Sequence, residues 1–361
     1  MRVGCKSVLL VSVNTFFGGG EVHLYNLARL LAAHCDVHAL VFDPRLCSRL
    51  TDAGISVHTL SLFPRAARSL QVLHAALLLP LLIRRNRIGA VLVTGTIESL
   101  LLPISRLFRC TSISMRHLVP FVGHGRWLRK LRRVLIEATY AFGILFADAV
   151  ICVSETVATK LRPLASPHRL IVIPNWVPSV PVMNEPRPCQ RPLRILFVGR
   201  LERNKGLDLL IHALRDMSGY KLTVVGDGSQ MASLRTLATG MNICFRGFQV
   251  DVSEYYRTAD IFVMPSVGPE GLPLVTIEAM SYGLPCVLSD LPVHVEVSSH
   301  GAGAALFRSG DVTSLRATLE PLMACDVERN ALGKAAYKLV LERYSPQNAL
   351  TNYLKALRLE T

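Results

Sequence analysis

Two carboxylates and two cations in the second half of the chain have the types and spacing to hold an anionic, hydroxyl-bearing ligand. Glu270 lies in the Gly/Pro-rich stretch Ser266 to Pro273, which resists regular structure. Glu278 lies in Leu274 to Tyr282, which reads as a helix stopped by Gly283. At about 1.5 Å rise per residue, the helical part of the gap between the acids covers roughly 6–9 Å. A ligand touching both would have its middle over the helix start, near Gly271, Leu272 and Leu274. Free N–H groups and the positive end of the helix dipole meet it there. A diphosphate suits that middle and hydroxyl-rich groups suit the two acids, which describes a nucleotide sugar. The plain alternative is one acid before a helix and another on its wet face.

The cations stand upstream. Arg194 to Val198 reads as a strand and runs into Gly199-Arg200-Leu201-Glu202-Arg203-Asn204-Lys205-Gly206, with a helix from Leu207. Arg200 and Lys205 thus sit beside a glycine loop at a strand end, where they can neutralise a diphosphate leaving group. The alternative is a pair of solvated surface cations.

The elements that must position these residues read as α/β. Ile261 to Met264 is a short apolar run ended by Pro265, as in a buried parallel strand, and Cys286 to Leu288 resumes that pattern. The first half has its own unit: a strand at Val8 to Val13, a loop ending in three glycines, and a helix at Glu21 to Ala33. A strand, glycine loop and helix open a nucleotide-binding type of domain, but no G-x-G-x-x-G fingerprint is present. Further strands read at Val37 to Phe42, Ala90 to Val93, Thr111 to Met115, Ala149 to Val153 and Leu170 to Ile173, with a long helix at Leu128 to Phe146. His117 follows Arg116 at the carboxyl end of one strand, where open α/β sheets bind ligands; His124 is the competing histidine. Ser154 is placed as a helix cap.

With 361 residues, two domains are expected. Prolines crowd 174–192 and mark a linker. The division is 1–176, a linker at 177–193, a second domain at 194–345, and a last helix within 346–361. Half the residues are hydrophobic and the mean hydropathy is +0.36, yet no stretch has the clean apolar length of a membrane span. The nearest, Leu70 to Ile83, is interrupted by Gln71, His74 and Pro80. The N-terminal apolar run reads as the first strand and not as a signal peptide. The 9 cysteines form no C-x-x-C pair, which fits free thiols in a reducing cytoplasm. No Asp-x-Asp pair is present, so a metal-independent reaction is expected.

The pattern PSxxxEGxPLxxxEAMxxGxPxV from Pro265 to Val287 resembles the donor-binding signature of the retaining glycosyltransferases of family 4. So do VGRLERNKG at 198–206, the glycine loop Gly18-Gly19 with Glu21, and AVICVSE at 149–155. The resemblance implies an α/β fold of the GT-B type, two Rossmann-like domains facing each other across a cleft. It implies that Glu270 contacts the transferred sugar and Glu278 the ribose, with Arg200, Lys205 and His117 in the catalytic set. Gly18, Gly19, Gly271, Leu272 and Leu274 would line the donor. It implies a UDP- or GDP-linked sugar as substrate, no cofactor and no metal, and a lipid-linked or saccharide acceptor of bacterial polysaccharide or lipopolysaccharide synthesis. The last helix would return to the first domain. Rivals are a nucleotide-sugar epimerase of the same fold and an inactive donor-binding scaffold; a phosphorylase would need a pyridoxal phosphate lysine, for which no site is evident.

The formal charge is +14 and uneven. Residues 1–185 carry 21 Lys and Arg against 9 Asp and Glu, and residues 186–361 carry 19 against 17. Arg84, Arg85 and Arg87 follow the apolar run, and Arg126, Arg129, Lys130, Arg132 and Arg133 crowd one segment. Apolar length beside cations suits an anionic bilayer, so a cytoplasmic protein peripheral on the inner face of a bacterial membrane is expected. No nucleic-acid recognition motif accompanies the charge.

Overall fold

The computed structural model describes residues 7–14, 18–59, 68–117, 138–139, 141–183 and 191–359. His124, the cations at 126–133, most of the expected helix at 128–146 and part of the proline-rich stretch fall outside them. The chain divides into two compact units, Met1–Pro174 with Pro346–Thr361, and Asn175–Ser345.

The first unit holds a parallel sheet of β1 (Ser7–Ser12), β2 (Asp36–Val41), β3 (Ser56–His58), β4 (Ala90–Thr94), β5 (Thr111–Arg116), β6 (Ala149–Cys152) and β7 (Leu170–Val172), in the order β3-β2-β1-β4-β5-β6-β7. The second holds β8 (Leu193–Val198), β9 (Tyr220–Val225), β10 (Ile243–Phe245), β11 (Ile261–Met264), β12 (Cys286–Ser289) and β13 (Ala305–Phe307), in the order β10-β9-β8-β11-β12-β13. Every pairing is parallel. Helices on both faces of such a sheet bury its strands, so the strands read as unbroken apolar runs. Val8 to Val11 and Ile261 to Met264 have essentially no exposed surface.

The order of strand addition reverses once in each sheet, between β1 and β4 and between β8 and β11. Such switch points leave an opening beyond the carboxyl ends of the strands, where ligands bind. The glycine loop follows β1, the Arg200–Lys205 stretch follows β8, and the Glu270 loop follows β11.

The helices that matter here are α1 (Gly19–Ala32), α2 (Arg68–Arg85), α3 (Leu207–Leu214), α4 (Ser253–Thr258), α5 (Leu274–Ser281), α6 (Pro292–Val297) and α7 (Pro346–Leu357). Helix α5 stops where expected: Gly283 has φ 68° and its N–H donates to Met280 O. Ser154 Oγ accepts from Val157 N as a helix cap. Helix α7 packs in the first unit against α1.

Candidate active site

In the second unit the two switch-point loops are pinned together. Gly206 has φ 65°, and a Cβ there would lie 2.1 Å from Pro265 O, so only glycine lets the β8 loop approach the end of β11. Asn204 O accepts from Val267 N at 2.9 Å and from Gly268 N at 3.2 Å. Lys205 Nζ thereby reaches Glu270 Oε1 at 2.6 Å, with the two side chains 11 % and 10 % exposed. Ser266 Oγ donates to the same oxygen at 2.8 Å. The cation expected at a phosphate and the acid expected at a sugar therefore hold each other. Arg200, by contrast, is exposed to solvent.

Behind Glu270 lies a buried polar relay. Ser289 Oγ donates to Ser266 O at 2.6 Å, and His294 Nδ1 lies 3.0 Å from both Ser289 Oγ and Ser289 O. With the serine hydrogen committed, Nδ1 is the donor and Nε2 the bare nitrogen, enclosed without a partner among the described residues. Burial pushes the His294 imidazole down to about 4, so it is neutral at pH 7.

Glu278 lies farther along α5. Its Oε2 accepts from Tyr256 Oη at 2.9 Å. Burial raises its carboxyl above the usual range, and the Tyr256 hydrogen bond opposes that rise. No side chain caps the start of α5, which leaves its leading N–H groups for an anion. Asn175 Nδ2 donates to Leu272 O at 2.5 Å and fixes the loop just before that start.

The first unit holds the remaining candidates. Gly18 is the residue before α1, and its N–H donates to Glu21 Oε2 at 3.0 Å. Glu21 Oε1 accepts from Asn14 Nδ2 at 2.6 Å, so a buried acid closes the glycine loop. A Cβ added to Gly19 would meet nothing within 4 Å. His117 is half-buried, and its enclosed Nε2 has no partner among the described residues. Burial lowers its imidazole to about 4. It packs edge-on against His23 at 4.8 Å, and His23 Nε2 meets Tyr353 Oη of α7 at 3.0 Å. Arg116 is 1 % exposed and donates to Gly95 O and Ser99 Oγ, so it braces the end of β5.

The structure thus brings together Lys205 and Glu270, with Leu272 at the start of the helix that carries Glu278. His117, Gly18 and Gly19 form a separate set in the other unit. Sequence reasoning missed Ser266, His294 and Tyr256, and it gave Asn175, in the proline-rich stretch before Trp176, no site role. Ser266 lies inside a motif already quoted, which was a usable signal; His294 and Tyr256 had none.

Two parallel α/β units of this topology define the class: the fold is GT-B. The solved structure of Anabaena Alr3699/HepE in complex with UDP has a TM-score of 0.81 at 18 % identity, covering 97 % of this chain and 99 % of that one. Residues 17–180 match the Glycosyltransferase Family 4 model, and residues 192–324 match the model for Glycosyl transferases group 1. The chain belongs to glycosyltransferase family 4. The Arabidopsis thaliana sulfoquinovosyl transferase SQD2 is 35 % identical over 45 % of this chain. The Escherichia coli O-antigen biosynthesis glycosyltransferase WbnH is 25 % identical over 79 % of this chain and 82 % of its own length. The chain spans only 32 %, 21 % and 35 % of the first three curated relatives it matches, SQD2 among them.

Proposed function

We propose that the protein is a retaining glycosyltransferase that moves a sugar from a nucleoside diphosphate to an acceptor hydroxyl. The carrying observation is the joined β8 and β11 switch-point loops, which set Lys205 and Glu270 at 2.6 Å beside an uncapped helix start. The diphosphate sits over that start with Arg200 and Lys205 as counter-charges, Glu270 meets the sugar, and Glu278 takes the ribose. The bond from the anomeric carbon to the diphosphate breaks, the acceptor oxygen bonds that carbon on the same face, and a phosphate oxygen takes the acceptor proton. Catalysis is electrostatic and metal-independent. His117 of the first unit, placed in the catalytic set by the resemblance, is neutral at working pH.

A solved relative of the fold is described in complex with UDP-glucose, which supports a UDP-linked donor here. O-antigen and lipopolysaccharide relatives support a lipid-linked or saccharide acceptor, which the protein would meet at the cytoplasmic face of a membrane. Among the described residues no helix is long and apolar enough to cross a membrane. Thermal shift with UDP-, GDP- and ADP-sugars tests the donor, because a bound ligand raises the melting temperature by mass action. One of the three should stabilise the protein, and transfer from that donor should persist in EDTA. No shift with any of them, or activity lost in EDTA and restored by Mg²⁺ or Mn²⁺, contradicts the corresponding part of the reading.

A further inference from the structure

We propose that Tyr256 is the positioning residue that presents the Glu278 carboxylate, ionised and fixed in plane, to the ribose diol of the nucleotide. The inference rests on the donor reading above and adds a residue that no motif contains.

Tyr256 is 1 % exposed and comes from α4, on the other side of β11 from Glu278 in the sequence. Its ring is held on two sides, stacked on Tyr282 at 5.5 Å and tilted against Phe262 at 6.1 Å. A ring fixed in this way has one direction for its hydroxyl, and that direction ends on Glu278 Oε2 at 2.9 Å. Tyr256 is the partner of Glu278 among the described residues. Glu278 is half-buried, and its second oxygen, Oε1, has no hydrogen-bond partner among the described residues.

A carboxylate tied at one oxygen and open at the other suits a diol. It must be ionised to accept two hydroxyl hydrogens, and burial works against ionisation. The phenol opposes burial by donating to the charged form. It does not release its own proton, because burial and the adjacent carboxylate push its ionisation far above the ordinary tyrosine range. Among the described residues no charged or titratable side chain other than Tyr256 shifts Glu278, and Tyr282 and Cys286 bear on Tyr256. Removing the hydroxyl should therefore cost both orientation and charge.

The experiment is titration calorimetry of UDP, GDP and ADP, followed from pH 5.5 to 8 with whichever binds tightest. Inorganic pyrophosphate, which lacks ribose, is the control. Tyr256→Phe keeps the ring and its stacking. It should bind the nucleotide roughly 5–20-fold more weakly at pH 7, as when a buried charged acceptor loses its donor. The acid-side fall in affinity should begin at higher pH than in the wild type, and pyrophosphate affinity should be unchanged. Glu278→Gln should be weak and nearly flat with pH. Nucleotide binding by Tyr256→Phe equal to wild type, beside a weak Glu278→Gln, overturns the inference and leaves the donor reading standing. Equal losses for nucleotide and pyrophosphate, or a uniform loss with the acid limb unmoved, reduce Tyr256 to core packing. Wild-type affinity in Glu278→Gln, or no nucleotide binding by the wild type, overturns the donor reading itself and the inference with it.

Discussion

Lys205 and Glu270 are nearly buried, and each is the other's counter-charge at 2.6 Å. Removing one leaves an uncompensated charge, which typically costs about 3–5 kcal/mol; slight exposure places this pair at the lower end. Lys205→Met should therefore lower stability and turnover together. Arg200 is exposed, so Arg200→Ala should leave stability within about 0.5 kcal/mol. If it stabilises the departing diphosphate, its turnover should still fall roughly 10²–10³-fold. Denaturant melts beside transfer assays separate the two cases, and wild-type turnover in Arg200→Ala would remove that residue from the mechanism. Two histidines give a pH prediction. His117 and His294 sit at about 4 in the folded protein, against about 6.5 when unfolded. The unfolded chain takes up protons that the folded chain refuses, so stability should fall as pH drops from about 6.5 towards 4. Melts of wild type and His294→Gln over that range test it: the variant should show the shallower slope, and parallel slopes would mean that His294 contributes nothing.

Loop 266–273 is irregular, yet it is held at three places: by Asn204 O, by Ser289 Oγ and by Asn175. Loosening it should raise the donor KM more than it lowers kcat, because the loop orders binding groups and carries little of the charge stabilisation. Asn175→Ala should raise KM several-fold. Asn175→Asp should do worse, since a carboxylate facing Leu272 O removes the donor and adds repulsion. Unchanged KM in both variants would show that the tether is not needed. The same loop shows what the sequence made legible. Its strands could be read because a doubly covered parallel sheet demands continuous apolar runs, and Ile261–Met264 was found to the residue. Glu270, Glu278 and Lys205 could be read because loop and helix spacing is local. Strands β3 and β13, of three residues each, were not read from the sequence. Helix α2 read only as an interrupted apolar run, since Pro80 lies inside it. The contacts of Tyr256 and His294 are set by neighbouring elements of the sheet, and no local pattern encodes them.

Taken by compact unit, the charge divides completely. The first unit carries 23 Lys and Arg against 9 Asp and Glu, hence the whole +14, and the second carries 17 against 17. If the second unit binds the donor as proposed, it needs no long-range field, since its cations would act at contact. The first unit also exposes apolar surface in a stripe. Leu70, Leu73, Leu77 and Leu81 recur at helical spacing along α2 and are 49 %, 55 %, 70 % and 58 % exposed. Arg84 and Arg85 end that helix and Arg87 follows it. Leu107, 79 % exposed, lies between Arg106 and Arg109 in a neighbouring segment that packs on α2. Apolar side chains rimmed by arginine fit the acyl and headgroup layers of an anionic bilayer, where each basic residue contributes about 1 kcal/mol near the surface. The expected outcome in vesicle flotation is binding to anionic lipid that weakens with salt, as exposed charges are screened. Leu77→Glu with Leu81→Glu should release the protein at every salt concentration. Changing Arg84, Arg85 and Arg87 to Gln should weaken binding at low salt and reduce its salt dependence. Nucleotide affinity in the second unit should be unaffected in both sets. Binding equal on neutral and anionic vesicles would leave the charge without a role. Loss of flotation together with a change from dimer to monomer in size-exclusion chromatography would assign the leucine stripe to a second copy of the chain instead. No flotation at low salt would mean that the acceptor is met in solution.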